Sequence, residues 1–342
     1  DQSWPDSFNE RLSALVSDID PDQFSHTVFI ATSGSTGEPK LCCHAIDSLF
    51  LSVERSLQSI SIASTDAIVL SLSPAHMGGL LAVTKAIVTG ATLTLTTPWT
   101  DAIHGTNHHL IIVPQQIQTL VRVFPNLTPF AIASILIGGD ATNPRYRQQL
   151  LDLGVPVTIS YGLTETCGQI TDHLLVGAGV SSGTPLAGVN LLIIDHCVAI
   201  KAPTLALGYL QPNGFVSLPL NDGWYVTSDL AEIGSDGQLT IRGRRDLLFN
   251  SGAELVSPEL IEAHLLESGF IDQVIVVPKP DQRFGLVPVA FIDSDSQLDQ
   301  LKRYADEQLP LFMRPKAWFI FPASIDQTKK SIRKQCLDYV SG

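Results

Sequence analysis

A chain of 342 residues with 44% hydrophobic content can bury a large core and a second, smaller one, which excludes a disordered or fibrous protein. Its formal net charge of −13 opposes electrostatic binding to nucleic acid or anionic lipid and favours a small-molecule ligand. No apolar run reaches the roughly 18 residues of a membrane span, the start is polar and acidic rather than leader-like, and no lipidation motif occurs, so a soluble cytoplasmic protein is expected.

From about Thr27 to Ile194, short β-branched runs ("TVFIA", "AIVLSLS", "ATLTLTT", "HLIIVP", "ASILIGG", "VPVTISYG") alternate with turns and amphipathic stretches. That alternation predicts an α/β domain with a largely parallel sheet. Glycine-rich and polar segments follow the strand candidates, where ligand sites of open α/β sheets collect. From Val198 to Arg242 the texture changes to hairpins, with D-G steps in "DGWYVTSDLAEI" and "SDGQLTIRG" marking tight turns. After "GRRD" come a strand or loop (Leu247 to Val256), the helix "SPELIEAHLLES", strands "QVIVVPKP" and "VPVAFIDS", the helix "SQLDQLKRYADEQL" and the strand "AWFIFP". Ser257 is the expected N-cap and Pro258 the first helical residue. This last stretch is large enough for its own α+β domain, which puts the predicted boundary near Asp246 and the domains at 1–245 and 246–342. Five cysteines, Cys42, Cys43, Cys167, Cys197 and Cys336, are an odd number without C-x-x-C spacing and predict reduced thiols and no zinc site.

The string "ATSGSTGEPK" (Ala31 to Lys40) follows the first strand candidate. Glycines and small hydroxyl residues let backbone N–H groups approach an anion closely, and Lys40 adds a charge. A Walker A loop is excluded, because Gly37 is followed by Glu38 and Pro39 before Lys40, with Leu41 in place of the magnesium-binding hydroxyl. A flexible Ser/Gly loop without ligand is the bland alternative for such a string.

The full string resembles the phosphate-binding signature of the acyl-adenylate-forming (AMP-binding) superfamily, and further segments resemble that family in its order. "SYGLTET" is similar to the family's Y-G-x-T-E element, which implies Ser160, Tyr161 and Gly162 beside the nucleotide, the Thr164 hydroxyl toward the α-phosphate and Glu165 as a magnesium ligand. "GGD" (Gly138, Gly139, Asp140) resembles the element flanking adenine, and the phosphate loop itself implies Thr32, Ser33, Gly34, Ser35, Thr36, Gly37 and Lys40. "GWYVTSDLAEI" resembles G-W-x-x-T-G-D, with Asp229 for the ribose hydroxyls and Ser228 replacing the usual glycine. "GRRDLLFNSGAELVSPELIE" resembles the interdomain stretch, implying Arg244 at the ribose or phosphate, Asp246 as hinge, and Ser251, Gly252 and Ala253 on the side facing CoA. The tail "QTKKSIRKQ" keeps K-x-x-R with Lys330 and Arg333, while Lys329 stands where the family has glycine; Lys330 is the expected catalytic lysine, with Thr164 and Glu165 as its catalytic companions.

Among compact members, "STGEPKLCCHA", "LSLSPAHMGGL", "VPQQIQTL" and "SSGTPLAGVNLLI" resemble the 2-succinylbenzoate–CoA ligase group of quinone synthesis. His76 is an acyl-pocket candidate or a turn cap, Ala75 replaces a frequent aromatic, and His44, Gln115, Gln116 and Thr164 are further candidate pocket groups. The phosphate loop lies close to the start of the chain, which implies a shortened N-terminal subdomain relative to typical members. The resemblance implies a ligase with ATP and Mg2+ as cofactors, CoA as co-substrate and a small carboxylic acid as partner. Another acyl-CoA ligase, a carrier-protein adenylation domain and a non-catalytic nucleotide binder stay open, as does homodimerisation.

Overall fold

The computed structural model describes residues 6–17, 19, 22, 24–33, 39–124, 131–140, 144–177, 181–325 and 332–341. Helix α1 (Asp6–Ser17) lays Leu12 and Leu15 against Leu41 and Leu210. The run expected in the parallel set folds instead as β1 (Thr27–Ser33), which reverses into β2 (Pro39–Ala45) as an antiparallel pair with Thr27 opposite Ala45. The connection is too short for the crossover that a parallel pair needs. The chain continues from β2 straight into α2 (Ile46–Ser59), which buries Leu49, Val53 and a line of serines, Ser48, Ser52 and Ser56.

Strands and helices then alternate: β3 (Ala67–Val69), α3 (Met77–Thr89), β4 (Thr92–Thr94), β5 (His108–Ile112), α4 (Ile117–Val123), β6 (Ile132–Ile137), α5 (Pro144–Asp152) and β7 (Val157–Leu163). Strands β8 (Gly168–Leu174) and β9 (Thr184–Pro185) complete a sheet ordered β4-β3-β5-β6-β7-β8-β9. It is parallel from β4 to β7 and antiparallel beyond. Leu110, Ile112 and Ile137 pack with Ile117 and Leu120 of α4 and Leu150 of α5, while Ile111 and Leu136 pack with Ala82 and Ala86 of α3. Both faces of these central strands are covered, which explains their unbroken apolar runs.

Antiparallel strands follow as β10 (Asn190–Ile194), β11 (Cys197–Lys201), β12 (Gly208–Gln211), β13 (Gly214–Ser217), β14 (Leu220–Asn221), β15 (Trp224–Ile233) and β16 (Leu239–Arg244). One sheet runs β10-β11-β15-β14 with β16 also on β15, and β12 and β13 extend the first hairpin into the sheet β1-β2-β12-β13.

The remaining elements are β17 (Phe249–Ser251), β18 (Glu254–Val256), α6 (Pro258–Glu267), β19 (Val274–Asp281), β20 (Gly285–Ile292), α7 (Leu298–Gln308), β21 (Trp318–Ile320) and α8 (Ile332–Ser341). They build their own sheet, with α6 and α7 on one core and Cys336 of α8 beside Phe291 and Phe321 on another. The Ser257 hydroxyl accepts from the Leu260 N–H and Pro258 opens α6, as the sequence predicts. Arg333, the arginine of the K-x-x-R string, forks onto the buried Glu262 carboxylate at 2.7 and 2.9 Å and so fastens α8 to α6.

Glu259, in the first turn of α6, accepts the backbone N–H of Arg244 at the end of β16. Gly243 makes room for it, since a Cβ there would lie 2.8 Å from Glu259 Oε2. Burial raises the Glu259 carboxyl to about 7; Arg333 opposes the rise, and the neighbouring Glu262 and Asp140 add to it. A carboxyl whose folded pKa lies above its unfolded value favours folding when protonated, so stability falls as pH rises from about 4.5 to about 7. Glu259→Gln, which keeps an acceptor oxygen, is expected to gain about 2 kcal/mol over the wild type between about pH 5 and about pH 8. Urea melts across that range check it, and two parallel curves would refute it.

Candidate active site

The carboxyl ends of β5, β6 and β7 lie side by side, and each carries part of the predicted site. After β6, Gly138 passes so near Ser160 that a Cβ would sit 2.7 Å from its hydroxyl, and Gly139 turns with φ of 91°. The Ser160 hydroxyl donates to the Ile137 carbonyl at 3.3 Å. Gln115 donates to Asp140 at 3.3 Å, whereas the Gln116 amide is committed to backbone, accepting from Val113 N–H and donating to the Ser71 carbonyl. At Gly162 a Cβ would lie 1.9 Å from the Gly168 carbonyl oxygen, so only glycine lets β7 and β8 close there.

On one side of this platform stands Asp229, which β15 holds within the protein at 6% exposure. The Tyr161 hydroxyl donates to it at 2.6 Å, and Arg244, directly opposite in the β15–β16 register, brings its guanidinium to 3.8 Å. Burial raises the Asp229 carboxyl, against the pull of Tyr161 and Arg244, and burial together with Asp229 drives the Tyr161 phenol up. Arg244 also forks onto Asp246 at 2.8 and 2.9 Å, which raises the arginine further and holds Asp246 below the usual carboxylate range. Tyr161, Asp229, Arg244 and Asp246 are thus one connected chain of side chains.

On the other side, Thr164 and Glu165 form the short helical turn between β7 and β8. Tyr209 of β12 donates its hydroxyl to Glu165 Oε1 at 2.6 Å, and Lys40 of β2 places its ammonium 3.7 Å from the centre of the same ring. Thr32, near the end of β1, has a buried hydroxyl with no partner among the described residues. The loop residues Gly34, Ser35, Thr36 and Gly37, and the Ser33 side chain, lie outside the described residues, as do Lys329 and Lys330.

His44 is not a pocket group. It is fully buried, and its Nε2–H donates to the Thr164 carbonyl at 2.8 Å, so β2 grips the Thr164 turn from behind. Burial lowers its pKa, against the opposing effects of the Thr164 carbonyl and Glu165, which favours the neutral ring and leaves Nδ1 as a buried acceptor without a partner among the described residues. His76 stands half-buried at the backbone N-cap of α3, and its side chain does not cap the helix. Ser251 ends β17, and Gly252 and Ala253 form the turn to β18, where Gly252 adopts φ of 64° and donates to the Phe284 carbonyl. The residues that sequence reasoning missed are Tyr209, its hydrogen-bonded neighbour Tyr225, and Glu259. A tyrosine in "GYL" carries no local mark of the carboxylate that it meets from 44 positions away.

The donor set near Glu165 suits a hard divalent cation that takes one carboxylate and fills its shell with phosphate oxygens and water. Among the described residues no three His, Cys, Asp or Glu side chains cluster as an all-protein metal cage would require. All five cysteines are buried and unpaired, and burial pushes Cys43 up to about 11 and Cys167 and Cys336 up to about 12. No helix among the described residues is long and apolar enough to cross a membrane.

Residues 3–210 match the AMP-binding enzyme family and residues 260–331 match the AMP-binding enzyme C-terminal domain. The 2-succinylbenzoate–CoA ligase of Escherichia coli (strain K12) is 31% identical over 312 residues, covering 90% of this chain and 67% of its own length. The enzyme of that name from Haemophilus influenzae is 30% identical, covering 94% and 72%. Among solved structures, an arginine-to-lysine variant of E. coli MenE with bound OSB-AMS superimposes with a TM-score of 0.82 at 30% identity, covering 91% of this chain and 68% of that one. Bacillus subtilis o-succinylbenzoate CoA synthetase, in complex with its acyl-adenylate intermediate OSB-AMP, gives 0.78 at 25% identity, covering 90% and 68%. The chain therefore spans about two thirds of the length of these relatives. With a family match over more than half of its residues, the chain belongs to the AMP-binding enzymes.

Proposed function

We infer that the protein is an acid–CoA ligase that activates 2-succinylbenzoate with ATP and passes the acyl group to CoA, a step of menaquinone or phylloquinone synthesis. The observation that carries the chemistry is the pairing of two groups at the carboxyl ends of β6 and β7. Tyr161, Asp229 and Arg244 form one, and Thr164, Glu165 and Lys40 the other. The acid is carried by the relatives, which match along about nine tenths of this chain.

A carboxylate is a poor acyl electrophile, and joining it to the α-phosphate of ATP, with loss of pyrophosphate, gives a mixed anhydride that a thiol can attack. Asp229 takes the ribose hydroxyls, the Tyr161 ring lies along adenine, and Gly138, Gly139 and Asp140 border it. Gly162 keeps the turn tight, Ser160 lines it, and Arg244 faces the ribose or phosphate. Thr164 donates to the α-phosphate, and the phosphate loop from Thr32 to Gly37, with Lys40, holds the outgoing phosphates. Glu165 would hold a magnesium ion, which would supply charge neutralisation on those phosphates. Lys330 bridges the carboxylate and the α-phosphate. The chain divides into domains at 1–245 and 246–342, and the smaller one turns about Asp246 to bring Ser251, Gly252 and Ala253 toward CoA. His76 borders the acyl pocket. Five buried unpaired thiols suit a reducing, cytoplasmic compartment.

A panel of carboxylic acids with ATP, magnesium and CoA tests this. Pyrophosphate exchange with 2-succinylbenzoate, and AMP release that needs CoA, are expected. Exchange with a different acid alone would replace the substrate, exchange without CoA-dependent AMP release would replace the acceptor, and no exchange with any acid would leave a nucleotide binder.

A further inference from the structure

One tyrosine holds both charged groups of the phosphate side. Tyr209 lies opposite Cys42 in the β2–β12 pairing, so its ring shares a face with Lys40, two residues before Cys42. Its hydroxyl donates to Glu165 Oε1 at 2.6 Å and its ring carries the Lys40 ammonium at 3.7 Å. Just before β12, the Ala206 N–H donates to the Glu165 carbonyl at 2.8 Å, so one segment grips Glu165 at both backbone and side chain. Tyr209 is only 8% exposed, and its hydroxyl is braced by a hydrogen bond with Tyr225. Among the described residues Glu165 Oε2 has no hydrogen-bond partner and Lys40 makes no ion pair with Glu165. The carboxylate thus meets the ring at its hydroxyl edge, and the ammonium sits over its face.

The geometry points to Tyr209 as the positioning residue for the metal: its hydroxyl fixes Glu165 with one oxygen free for the cation, and its ring face seats the Lys40 ammonium beside it. This rests on the assignment of Glu165 as the magnesium ligand. A carboxylate on a short, half-buried turn otherwise samples several rotamers, and a charge-assisted hydrogen bond removes that freedom before the cation arrives. The arrangement therefore acts on metal affinity and leaves ribose and adenine recognition alone.

The test uses the full chain with Mn2+ as probe, read by electron paramagnetic resonance in the presence of ATP and without any acid, so that no turnover occurs. Tyr209→Phe, which keeps the ring and its lysine perch, is expected to weaken Mn2+ binding about tenfold, the loss of one hydrogen bond to a charged group. Metal-free AMP binding by calorimetry is expected to stay within about twofold of the wild type, and Glu165→Gln/Tyr209→Phe to lose no more than Glu165→Gln alone. Parallel loss of AMP affinity in Tyr209→Phe, or unchanged Mn2+ affinity while Glu165→Gln loses it, would overturn the role of Tyr209 and leave the metal site standing. Unchanged Mn2+ affinity in Glu165→Gln would overturn both.

Discussion

Replacing Lys330 with alanine is expected to cut ATP–pyrophosphate exchange by about 10²- to 10³-fold, the usual loss when one preorganised donor to a developing charge is removed. Thioester formation from a supplied acyl-adenylate and CoA is expected to stay within about threefold, because the proposed turn of the smaller domain would withdraw the lysine for that half-reaction. The split between half-reactions is the informative quantity. Lys330 is chosen over Lys329 by its spacing from Arg333, which two bonds to Glu262 hold against α6. Lys329→Ala serves as the control and should leave both half-reactions near wild type. Equal loss of both in Lys330→Ala would assign that lysine to something the two steps share, and a split in Lys329→Ala instead would move the catalytic role by one residue.

Asp229→Ala is expected to raise the KM for ATP and the Kd for AMP by about 10²-fold, with the KM for the acid within about threefold. Hydrogen bonds to a charged group contribute about 1.5 to 3 kcal/mol each, and a carboxylate spanning two ribose hydroxyls loses both. The residue is also the acceptor for the Tyr161 hydroxyl and a neighbour of Arg244, so part of the loss comes from slackening that chain. A nucleotide lacking the ribose hydroxyls separates these contributions. Wild type should bind 2′,3′-dideoxy-ATP far more weakly than ATP, and Asp229→Ala should barely distinguish them. If the two proteins discriminate equally, Asp229 supports the wall of the site without touching ribose. Asp229→Asn, which keeps an acceptor for Tyr161, should fall between the two.

The parts of the fold that were legible in the sequence are those whose cause is local. The runs that become β5 and β6 are covered on both faces because α3 lies on one side and α4 and α5 on the other. Ser257 and Pro258 announce α6 through groups that act within one turn. Asp229 and Arg244 were named from separate motifs, and the β15–β16 register sets them directly opposite. What stayed hidden depends on pairings between distant segments. Nothing in "CCHA" tells that His44 will reach the Thr164 carbonyl across 120 positions, so a histidine beside a phosphate loop reads as a pocket group. The first strand reads as one more member of a parallel set because composition does not encode which sheet a strand joins. Tyr209 was missed for the same reason, since its meaning comes from Glu165 and Lys40 arriving from two other strands.

The distribution of the cysteines gives the molecule a set of silent clocks. Four thiols lie before the β16–β17 junction and one, Cys336, lies in α8, and all five are shut away from reagent in the folded chain. A maleimide can mark each only when its surroundings open, so the order in which the five masses appear under mild denaturant ranks the local opening energies of the two halves without any introduced label.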